Sequence, residues 1–335
     1  MGWTVAIGVD THKDVHVAVA LDERGARLDQ CMIATTPAGY RELVCWAQRL
    51  AQPAFSIEGC GSYGLGLVRF LQASGVEQVF ECERPRRSDR RKGKSDLIDA
   101  TLAARRLVSG ERQNRPRGGG EQREQLRLLL AERRGAVRAH TAALNQLRGM
   151  IVTAPDELRG RLAPLSTKRL AKTTARLRAQ GPAEVIRRTG RRAEYLAKEI
   201  REIEHSLTVL LAELAPQLLE ECGVGIVCAA QLLVSSGEAS RMQSEASFAA
   251  LAGTSPVDAS SGKQQRHRLN HGGDRQLNWA LPMIALQPIQ RHAPTASYHQ
   301  RLLAKGKTRK EARRCIKRAL ARHFYHQLQK YPLTT

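Results

Sequence analysis

The sequence predicts an α/β domain at the N-terminus, followed by a mainly helical remainder. Strand-like and helix-like segments alternate from residue 1 to about residue 110. Two later segments carry seven-residue apolar repeats, and helical patterns dominate after Pro216. Alternating segments are typical of a mixed α/β sheet, whereas long seven-residue repeats are typical of paired helices.

The chain opens with two apolar runs, residues 6–9 and 15–21, on either side of a polar break. Their alternation and β-branched residues predict the two strands of a hairpin. Asp10 follows the first run directly, so we expect its carboxylate at an edge of the sheet, where it could bind a metal ion. An ordinary surface carboxylate that closes a strand is the alternative, and this stretch alone does not decide between them.

The next segments continue the alternation and predict the order β-β-β-α-β-α-β-α, typical of a mixed sheet. They are a third strand over Arg27–Thr35 with apolar positions Leu28, Cys31 and Ile33, a helix over Pro37–Leu50, a strand over Phe55–Glu58, a helix over Leu65–Ala73 and a strand over Val76–Phe80. The fourth strand, like the first, ends in a carboxylate, Glu58.

A helix with two acids in its first turn completes this domain. Ser95 is its expected cap, Asp96 and Asp99 follow, and the helix ends near Gly110. The spacing of three places both carboxylates on one face. Two acids at this position also complement the helix dipole, which contributes about 0.3–1 kcal/mol each, so a purely structural role is a serious alternative.

The charge balance indicates a polyanionic partner. The chain has 54 Lys and Arg against 32 Asp and Glu, a net charge of +22, and nucleic acid is the expected partner. Only 4% of residues are aromatic, so backbone phosphate contacts fit better than base stacking. One dense basic run is either a solvated loop or a phosphate clamp, and it contains Arg84, Arg86, Arg87, Arg90, Arg91, Lys92 and Lys94.

The cysteines and the N-terminus indicate a cytoplasmic protein, associated with the nucleoid through its partner. Seven cysteines form no Cys-x-x-Cys pair, which favours neither a disulfide framework nor a zinc site. Asp10, Lys13 and Asp14 interrupt the first apolar stretch, so we expect neither a signal peptide nor a membrane span.

Two long helices with seven-residue repeats predict an antiparallel coiled-coil arm. The first covers Glu121–Ile151, and the second begins near Ala183, with a basic, proline-containing connector between them. The second carries an unbroken 4-3-4-3-4 spacing over Leu196, Ile200, Ile203, Leu207, Leu210 and Leu214. The arm is either a spacer or a dimerisation element. Because a narrow apolar stripe needs a partner, dimerisation is favoured.

The C-terminal part contains three features of interest. A helix, a Gly223-Val224-Gly225 turn and a second helix resemble the DNA-binding helix-hairpin-helix, although tight helix packing explains the glycines equally well. Ser260-Ser261-Gly262 lies in a small-residue loop close to Lys263, and it is either a turn or the site of a nucleophile among phosphate-binding cations. Residues 299–335 hold eleven Lys and Arg against one acid and predict basic helices on a nucleic-acid face.

These segments predict three domains. Residues 1–114 form the α/β domain with the acidic residues, residues 121–215 the arm with its basic connector, and residues 216–335 the helical C-terminal domain with the serine loop.

Four motifs, in order and at suitable separations, resemble the bacterial insertion-sequence transposase family numbered one hundred and ten, whose members are also called bridge-RNA-guided recombinases. They are Gly8-Val9-Asp10-Thr11-His12-Lys13-Asp14, Glu58-Gly59-Cys60-Gly61-Ser62-Tyr63, Gly93-Lys94-Ser95-Asp96-Leu97-Ile98-Asp99-Ala100, and Ala259-Ser260-Ser261-Gly262-Lys263 followed by Arg266-His267-Arg268-Leu269-Asn270 and Gly272-Gly273-Asp274-Arg275.

The resemblance implies a ribonuclease-H-like, RuvC-like N-terminal domain with a quartet of acids: Asp10, Glu58, Asp96 and Asp99. Four clustered carboxylates repel one another unless a metal ion neutralises them, and their oxygens suit Mg²⁺. The resemblance also makes Ser261 the nucleophile, although the residues alone do not exclude Ser260. Nucleic-acid binding is then expected of Arg86, Arg87, Arg90, Arg91, Lys92, Lys94, Lys263, Arg266, Arg268 and Arg275.

The implied activity is DNA recombination through a phosphoserine intermediate assisted by divalent metal. Ser261 attacks a DNA phosphate, and a hydroxyl of a second DNA then displaces it. Expected partners are element and target DNA, a structured noncoding guide RNA and a homodimer or larger homo-oligomer whose site forms between protomers. The alternatives are a RuvC-like nuclease that hydrolyses branched DNA with water and a non-catalytic nucleic-acid-binding protein.

Overall fold

The computed structural model describes residues 2–82, 95–111, 114–118, 120–178, 180–237, 241–242, 244–258, 267–268 and 272–330. Its contacts divide the chain into two compact units, Met1–Gly118 and Gly119–Thr335. The second unit contains both the arm and the C-terminal helices. The finer division into three domains stays a prediction.

The first unit is a five-stranded mixed sheet with three helices, which confirms the predicted α/β class and element order. The elements are β1 (Val5–Thr11), β2 (Val15–Leu21), β3 (Arg27–Ala34), α1 (Pro37–Gln48), β4 (Pro53–Glu58), α2 (Leu65–Ala73), β5 (Val79–Cys82) and α3 (Asp96–Val108). The strands lie in the order β3-β2-β1-β4-β5, in which β2 runs antiparallel to both β1 and β3, while β4 and β5 run parallel to β1.

Helices cover both faces of this sheet, so its central strand is buried throughout. Ile7 and Val9 pack in the cluster that contains residues of α1 and α2, whereas Ala6 packs with Ala100 and Ala104 of α3. Side chains alternate along a strand, so Gly8 and Asp10 belong to the same face as Ala6. The face toward α3 therefore carries Asp10.

Two strands differ in detail from their prediction. In β3 only Ile33 is buried, whereas Leu28 is 49% exposed, because this edge strand is largely uncovered. The fifth strand begins at Val79 instead of Val76. The backbone N–H of Val76 donates to the carbonyl of Leu71 at the end of α2, so strand pairing starts only where Val79 lies opposite Phe55.

The second unit is mainly helical, as predicted. Its elements are α4 (Gly120–Val152), α5 (Asp156–Leu162), α6 (Thr167–Ala175), α7 (Pro182–Leu214), α8 (Pro216–Glu220), α9 (Ile226–Ser236), α10 (Glu245–Leu251), β6 (Val257–Asp258), β7 (His267–Arg268), α11 (Arg275–Arg291), α12 (Ala293–Ala304) and α13 (Arg309–Leu328). The predicted connector between the long helices thus contains two short helices, α5 and α6.

The two long helices pack against each other and run antiparallel. Arg133 of α4 pairs with Glu204 of α7 at 2.6 Å, and farther along the pair Arg192 donates to Gln146. On α7, Ile203, Leu207 and Leu210 are buried. The predicted apolar stripe therefore has its partner within the chain, and it no longer favours a dimer by itself. Dimerisation stays a prediction.

The base of this helical hairpin shares one core with the C-terminal helices. Leu126 and Leu207 belong to the same buried cluster as Phe248, Leu281 and Phe324. Within the described residues, no helix combines the length and the apolar character that crossing a membrane requires.

Candidate functional site

Asp10 and Glu58 end two neighbouring parallel strands. In the register of β1 and β4, Val9 lies opposite Ile57, so the next residues of the two strands are Asp10 and Glu58. Asp10 is only 6% exposed, and Glu58 is half-buried. The carboxyl ends of parallel strands meet at one edge of a sheet, and here that edge carries two acids.

Gly8 brings α3 down onto the same edge. A Cβ atom at Gly8 would lie 2.0 Å from the carbonyl oxygen of Ala100 and 2.3 Å from the backbone nitrogen of Ala104. Glycine within a strand often marks such a close backbone approach. The approach places the first turn of α3, with Asp96 and the buried Asp99, against the end of β1. The two acids predicted on one helix face thus lie beside the strand acids.

His12 joins the acidic residues, and the sequence reasoning did not assign it a role. Its Nε2 lies 3.2 Å from Asp10 Oδ2 and 3.3 Å from Asp96 Oδ1. Ligand atoms of Asp10, His12 and Asp96 all lie within 4.8 Å of one another. The sequence feature that could have indicated His12 as a site residue is its place two residues after Asp10, just beyond the strand. That signal is weak without the position of α3.

The electrostatics of Asp10 indicate that the other three predicted acids lie close enough to act on its carboxyl group. Burial is the main cause that raises the pKa of Asp10 above its ordinary value, and His12 opposes this shift. Glu58, Asp99 and Asp96 raise the pKa of Asp10 further through like-charge repulsion. The fold therefore gathers the predicted quartet around one buried carboxyl group.

A short turn after β4 ties the two strand ends together. The Thr11 hydroxyl donates to the carbonyl oxygen of Glu58 at 2.8 Å. Gly59 then adopts a left-handed conformation with φ +72°, and a Cβ atom there would lie 3.0 Å from Thr11 Oγ1. The turn requires glycine, and it holds the backbone of Glu58 against the end of β1.

The donor set fits a divalent cation. Carboxylate oxygens are the ligands that Mg²⁺ and Mn²⁺ prefer, and an imidazole nitrogen is a further donor for Mn²⁺ and other transition metals. A cation here would also remove the repulsion that raises the pKa of Asp10. The residues that would hold it are Asp10 and Asp96 with His12, together with Glu58 and Asp99 of the predicted quartet.

The serine loop belongs to the second unit. β6 and β7 pair antiparallel, with Val257 opposite Arg268 and Asp258 opposite His267. Residues 259–266 between them lie outside the described residues, and with them Ser260, Ser261, Lys263 and Arg266. For Arg268 the structure describes the backbone alone. The predicted nucleophile therefore lies in a connection between two paired strands.

The chain on the far side of this loop is fixed to α10. A Cβ atom at Gly273, which has φ +85°, would lie 2.3 Å from the carbonyl oxygen of Leu251. The backbone N–H of Asp274 donates to that same carbonyl at 2.7 Å. The Asp274 side chain caps α11 by accepting from the backbone N–H of Gln276 at 2.8 Å. Arg275, a predicted nucleic-acid contact, is exposed at the first position of α11.

A buried lysine supports the same region. Lys317 of α13 is 9% exposed, and its ammonium group donates to Asn278 Oδ1 at 2.7 Å. Burial lowers the pKa of Lys317. A Cβ atom at Gly253, with φ +64°, would lie 2.7 Å from Asn278 Nδ2. Asn278 thus fills the space between the end of α10 and Lys317, and it joins the two sides of the serine loop.

The structure describes one of two further predicted nucleic-acid contacts, the Gly-Val-Gly turn, and does not describe the other, the basic run. The predicted phosphate clamp, which includes Arg86, Arg87, Arg90, Arg91, Lys92 and Lys94, lies outside the described residues. The Gly-Val-Gly turn is described, and it favours tight packing. At Gly223, φ is +87° and a Cβ atom would lie 2.5 Å from the carbonyl oxygen of Ile284. Nearby, Glu221 pairs with His323 at 2.9 Å, and an acid at this turn disfavours a phosphate.

Two family models match the chain, one from the first unit through α4 and the other after α7. Residues 7–154 match the model DEDD_Tnp_IS110, described as a transposase. Residues 215–300 match the model described as the transposase IS116/IS110/IS902 family. The first match contains the four acids, and the second contains Ser260 and Ser261.

A curated relative gives the same assignment. Over 115 residues, 33% of this chain, the sequence is 33% identical to the "Insertion element IS110 uncharacterized 43.6 kDa protein" of Streptomyces coelicolor. The aligned stretch covers 28% of that relative's length. Two models of one family, each containing one of the predicted sets of site residues, and this relative lead to one conclusion. The chain belongs to the IS110 family of transposases.

Proposed function

We propose that this protein is a DNA transposase that cuts and rejoins strands at the ends of an insertion sequence. The observation that carries the proposal is the convergence of Asp10, Glu58, Asp96 and Asp99 at one edge of the sheet in a chain of this family. Catalysis on DNA phosphates is the chemistry for which such a carboxylate cluster is suited.

We further propose that the first unit is ribonuclease-H-like. Three antiparallel strands followed by two parallel ones, in the order β3-β2-β1-β4-β5, support this. In such a sheet the first strand is central, and its end lies beside the fourth strand and the last helix. Asp10, Glu58 and the first turn of α3 occupy those positions.

The four acids and His12 would hold a divalent cation, and we propose that this cation is Mg²⁺. When bound, it supplies charge neutralisation and polarisation of a scissile phosphate. The chain's own contribution is to bury Asp10, to orient Asp96 through His12 and to fix Glu58 through Thr11.

Ser261 is the proposed nucleophile. Its hydroxyl oxygen forms a bond to phosphorus, its proton passes to a base, and the bond from phosphorus to the leaving DNA oxygen breaks. The product is a phosphoserine-linked strand and a DNA hydroxyl. Attack by a hydroxyl of a second DNA reverses the step on a new strand and restores the serine. No phosphodiester bond is lost to water.

Family membership supports a wider assembly as part of the proposal. A structured noncoding RNA would guide the choice of donor and target DNA, and a homodimer or larger oligomer would bring Ser261 and the acids of different protomers together. The cations in the basic run and around the serine loop would contact nucleic-acid phosphates.

The test is covalent trapping on DNA from the ends of the protein's own element, with RNA transcribed from its flank. We expect a protein–DNA adduct with the wild type and none with Ser261→Ala, while Ser260→Ala retains it. An adduct of Ser261→Ala would refute the assigned nucleophile. Cleavage without an adduct in any variant would instead support a nuclease that uses water.

A further inference from the structure

The far end of the helical hairpin carries a dense set of cations that the proposed chemistry does not use. We define the arm tip as residues 148–192, which comprise the end of α4, α5, α6 and the start of α7. It contains twelve Lys and Arg against three acids. Such an excess on a folded surface is unfavourable through self-repulsion unless an anion binds there.

The arm tip is a packed structure and not merely a charged connector. Its own core contains Ile151, Leu162, Leu170 and Ile186, with Leu147 of α4 directly before the tip. The helices α6 and α7 cross closely, because a Cβ atom at Gly190 would lie 2.3 Å from Thr174 Oγ1. The cations are therefore presented on a defined surface.

That surface runs along α6 from one long helix to the other. At the start of α6, Arg148 of α4 donates to the Thr167 hydroxyl, and at its end Arg191 of α7 donates to the carbonyl of Ala175 at 3.4 Å. Exposed cations follow α6 between these points at Lys168, Arg169, Lys172 and Arg176. From Lys168 to Arg176 the helix rises by about 12 Å.

Most of these cations have no acid to neutralise them. Asp156 pairs with Arg159 and Glu184 with Arg187, each three residues apart on one helix. Within the part of the chain that the structure describes, the ten other arm-tip cations form no ion pair, namely Arg148, Arg161, Lys168, Arg169, Lys172, Arg176, Arg178, Arg188, Arg191 and Arg192. Their charge is available to an external partner.

The chemistry of the arm tip selects the kind of partner. Residues 148–192 contain no Phe, Tyr or Trp, so the surface offers no platform for stacking unpaired bases. Lysines and arginines along a helix face suit the regularly spaced phosphates of a double helix. From Leu130 in the base core to Arg148 the helix rises by about 27 Å, so the arm tip stands well away from the core that the hairpin shares with the C-terminal helices.

We infer that the arm tip is a docking surface for the phosphate backbone of duplex DNA that flanks the reacting strands. The choice of DNA rests on the proposed function, whereas the surface itself rests on the charges and packing described above. Docking there would hold a DNA duplex through contacts that carry no sequence information.

The test compares two variants of the full chain with equal net charge. The tip variant carries Lys168→Gln, Lys172→Gln, Arg176→Gln and Arg188→Gln, all at exposed positions. The control carries Arg24→Gln, Arg41→Gln, Arg69→Gln and Arg201→Gln, which are also exposed. Fluorescence anisotropy with a DNA duplex of about 30 base pairs, on the order of 100 Å long, gives affinity against salt concentration.

We expect the slope of log K against log salt to become shallower by about 3 in the tip variant and by less than about 1 in the control, since each lost phosphate contact contributes roughly 0.9. A charge-preserving variant, Lys168→Arg, Lys172→Arg, Arg176→Lys and Arg188→Lys, should keep the wild-type slope and shows that folding is intact. Equal slopes in tip variant and control would overturn the inference. The inference would also be overturned if, in the same assay, the tip variant bound duplex RNA more weakly but bound duplex DNA as the wild type does.

This experiment measures binding without strand exchange. If Ser261 is not the nucleophile, the result of the binding experiment is unchanged. If the arm tip does not dock DNA, the result of covalent trapping on a short duplex is unchanged. The two proposals can therefore fail separately.

Discussion

Gly8 and Ala100 lie in such close contact that a Cβ atom on Gly8 would stand 2.0 Å from the Ala100 carbonyl oxygen. This contact lets α3 approach the central strand and brings Asp96 and Asp99 to Asp10. The geometry of the acidic cluster thus depends on a residue that has no side chain.

Gly8→Ala should therefore destabilise the protein by about 1–3 kcal/mol or more, because α3 must move away from β1. The matched control is Gly61→Ala, since a Cβ atom there meets no heavy atom within 4 Å. Denaturant unfolding of both variants measures the difference. Equal stabilities of the two variants would show that α3 does not pack on β1 in this way.

Divalent cations should stabilise the wild type and fail to stabilise Asp10→Asn. At a cation concentration of 100 Kd, binding to the folded state alone contributes about 2.7 kcal/mol. Thermal unfolding with and without Mg²⁺ or Mn²⁺ measures the effect, and Glu77→Gln, at an exposed acid of the same unit, is the control. A cation-dependent rise in Tm that persists in Asp10→Asn would place the cation elsewhere.

His12 should contribute more to the binding of Mn²⁺ than to the binding of Mg²⁺. Its Nε2 lies 3.2 Å from Asp10 and 3.3 Å from Asp96, within reach of the same cation, and imidazole is a better ligand for transition metals than for Mg²⁺. In His12→Ala, the Mn²⁺-induced rise in Tm should shrink by a larger fraction than the Mg²⁺-induced rise. An equal reduction for both ions would mean that His12 orients the carboxylates without binding the cation.

We expect the buried side chain of His16 to cause part of the loss of stability at low pH. Its side chain is fully buried and stacks on Tyr40, with ring centroids 5.9 Å apart, and burial lowers its pKa. The unfolded chain therefore takes up a proton first as the pH falls below the ordinary value of 6.5, so stability is present above that pH and is lost below it.

His16→Phe keeps an aromatic ring against Tyr40 and removes the titration. The wild type should lose more stability than this variant between pH 7 and pH 5, by at most about 1.4 kcal/mol per pH unit. Urea unfolding at several pH values measures this difference. Parallel pH profiles would show that His16 is not the group responsible.

The contact between Lys317 and Asn278 predicts which of two variants, one at each residue, is the less stable. Asn278→Ala leaves a buried ammonium group without its acceptor and should destabilise the second unit by about 1–3 kcal/mol. Lys317→Met removes the charge and keeps most of the packing, so it should cost less. Chemical denaturation of both variants compares them, and a larger cost for Lys317→Met would contradict the role of the buried charge.

Much of the first unit follows from local pattern. Apolar alternation predicted β1 and β2, and Asp10 and Glu58 near the ends of β1 and β4 were candidate metal ligands, whereas their grouping with Asp96 and Asp99 came from the resemblance to a known family. The edge strand β3 was less predictable, because the exposure of Leu28 depends on which face α1 leaves uncovered. The start of β5 depends on the hydrogen bond of Val76 to Leu71, which no residue pattern expresses.

The remaining features depend on distant contacts. Gly8 and Gly190 are single glycines within regular elements, and only the helix that crosses each of them explains why a side chain is not accommodated. His12 becomes a candidate ligand once α3 places Asp96 beside it. The helices α5 and α6 are short and follow prolines in a basic segment, so their apolar residues gave little periodic signal.

The proposed chemistry requires that the acids around Asp10 and the serine of the C-terminal part act in the same reaction. The most direct test is the yield of the covalent protein–DNA adduct from Asp10→Asn, on element-end DNA with the flanking transcript and Mg²⁺, with DNA binding measured in parallel. We expect DNA binding to persist while the adduct yield falls about 100-fold or more. An adduct at the wild-type level would contradict the proposed chemistry.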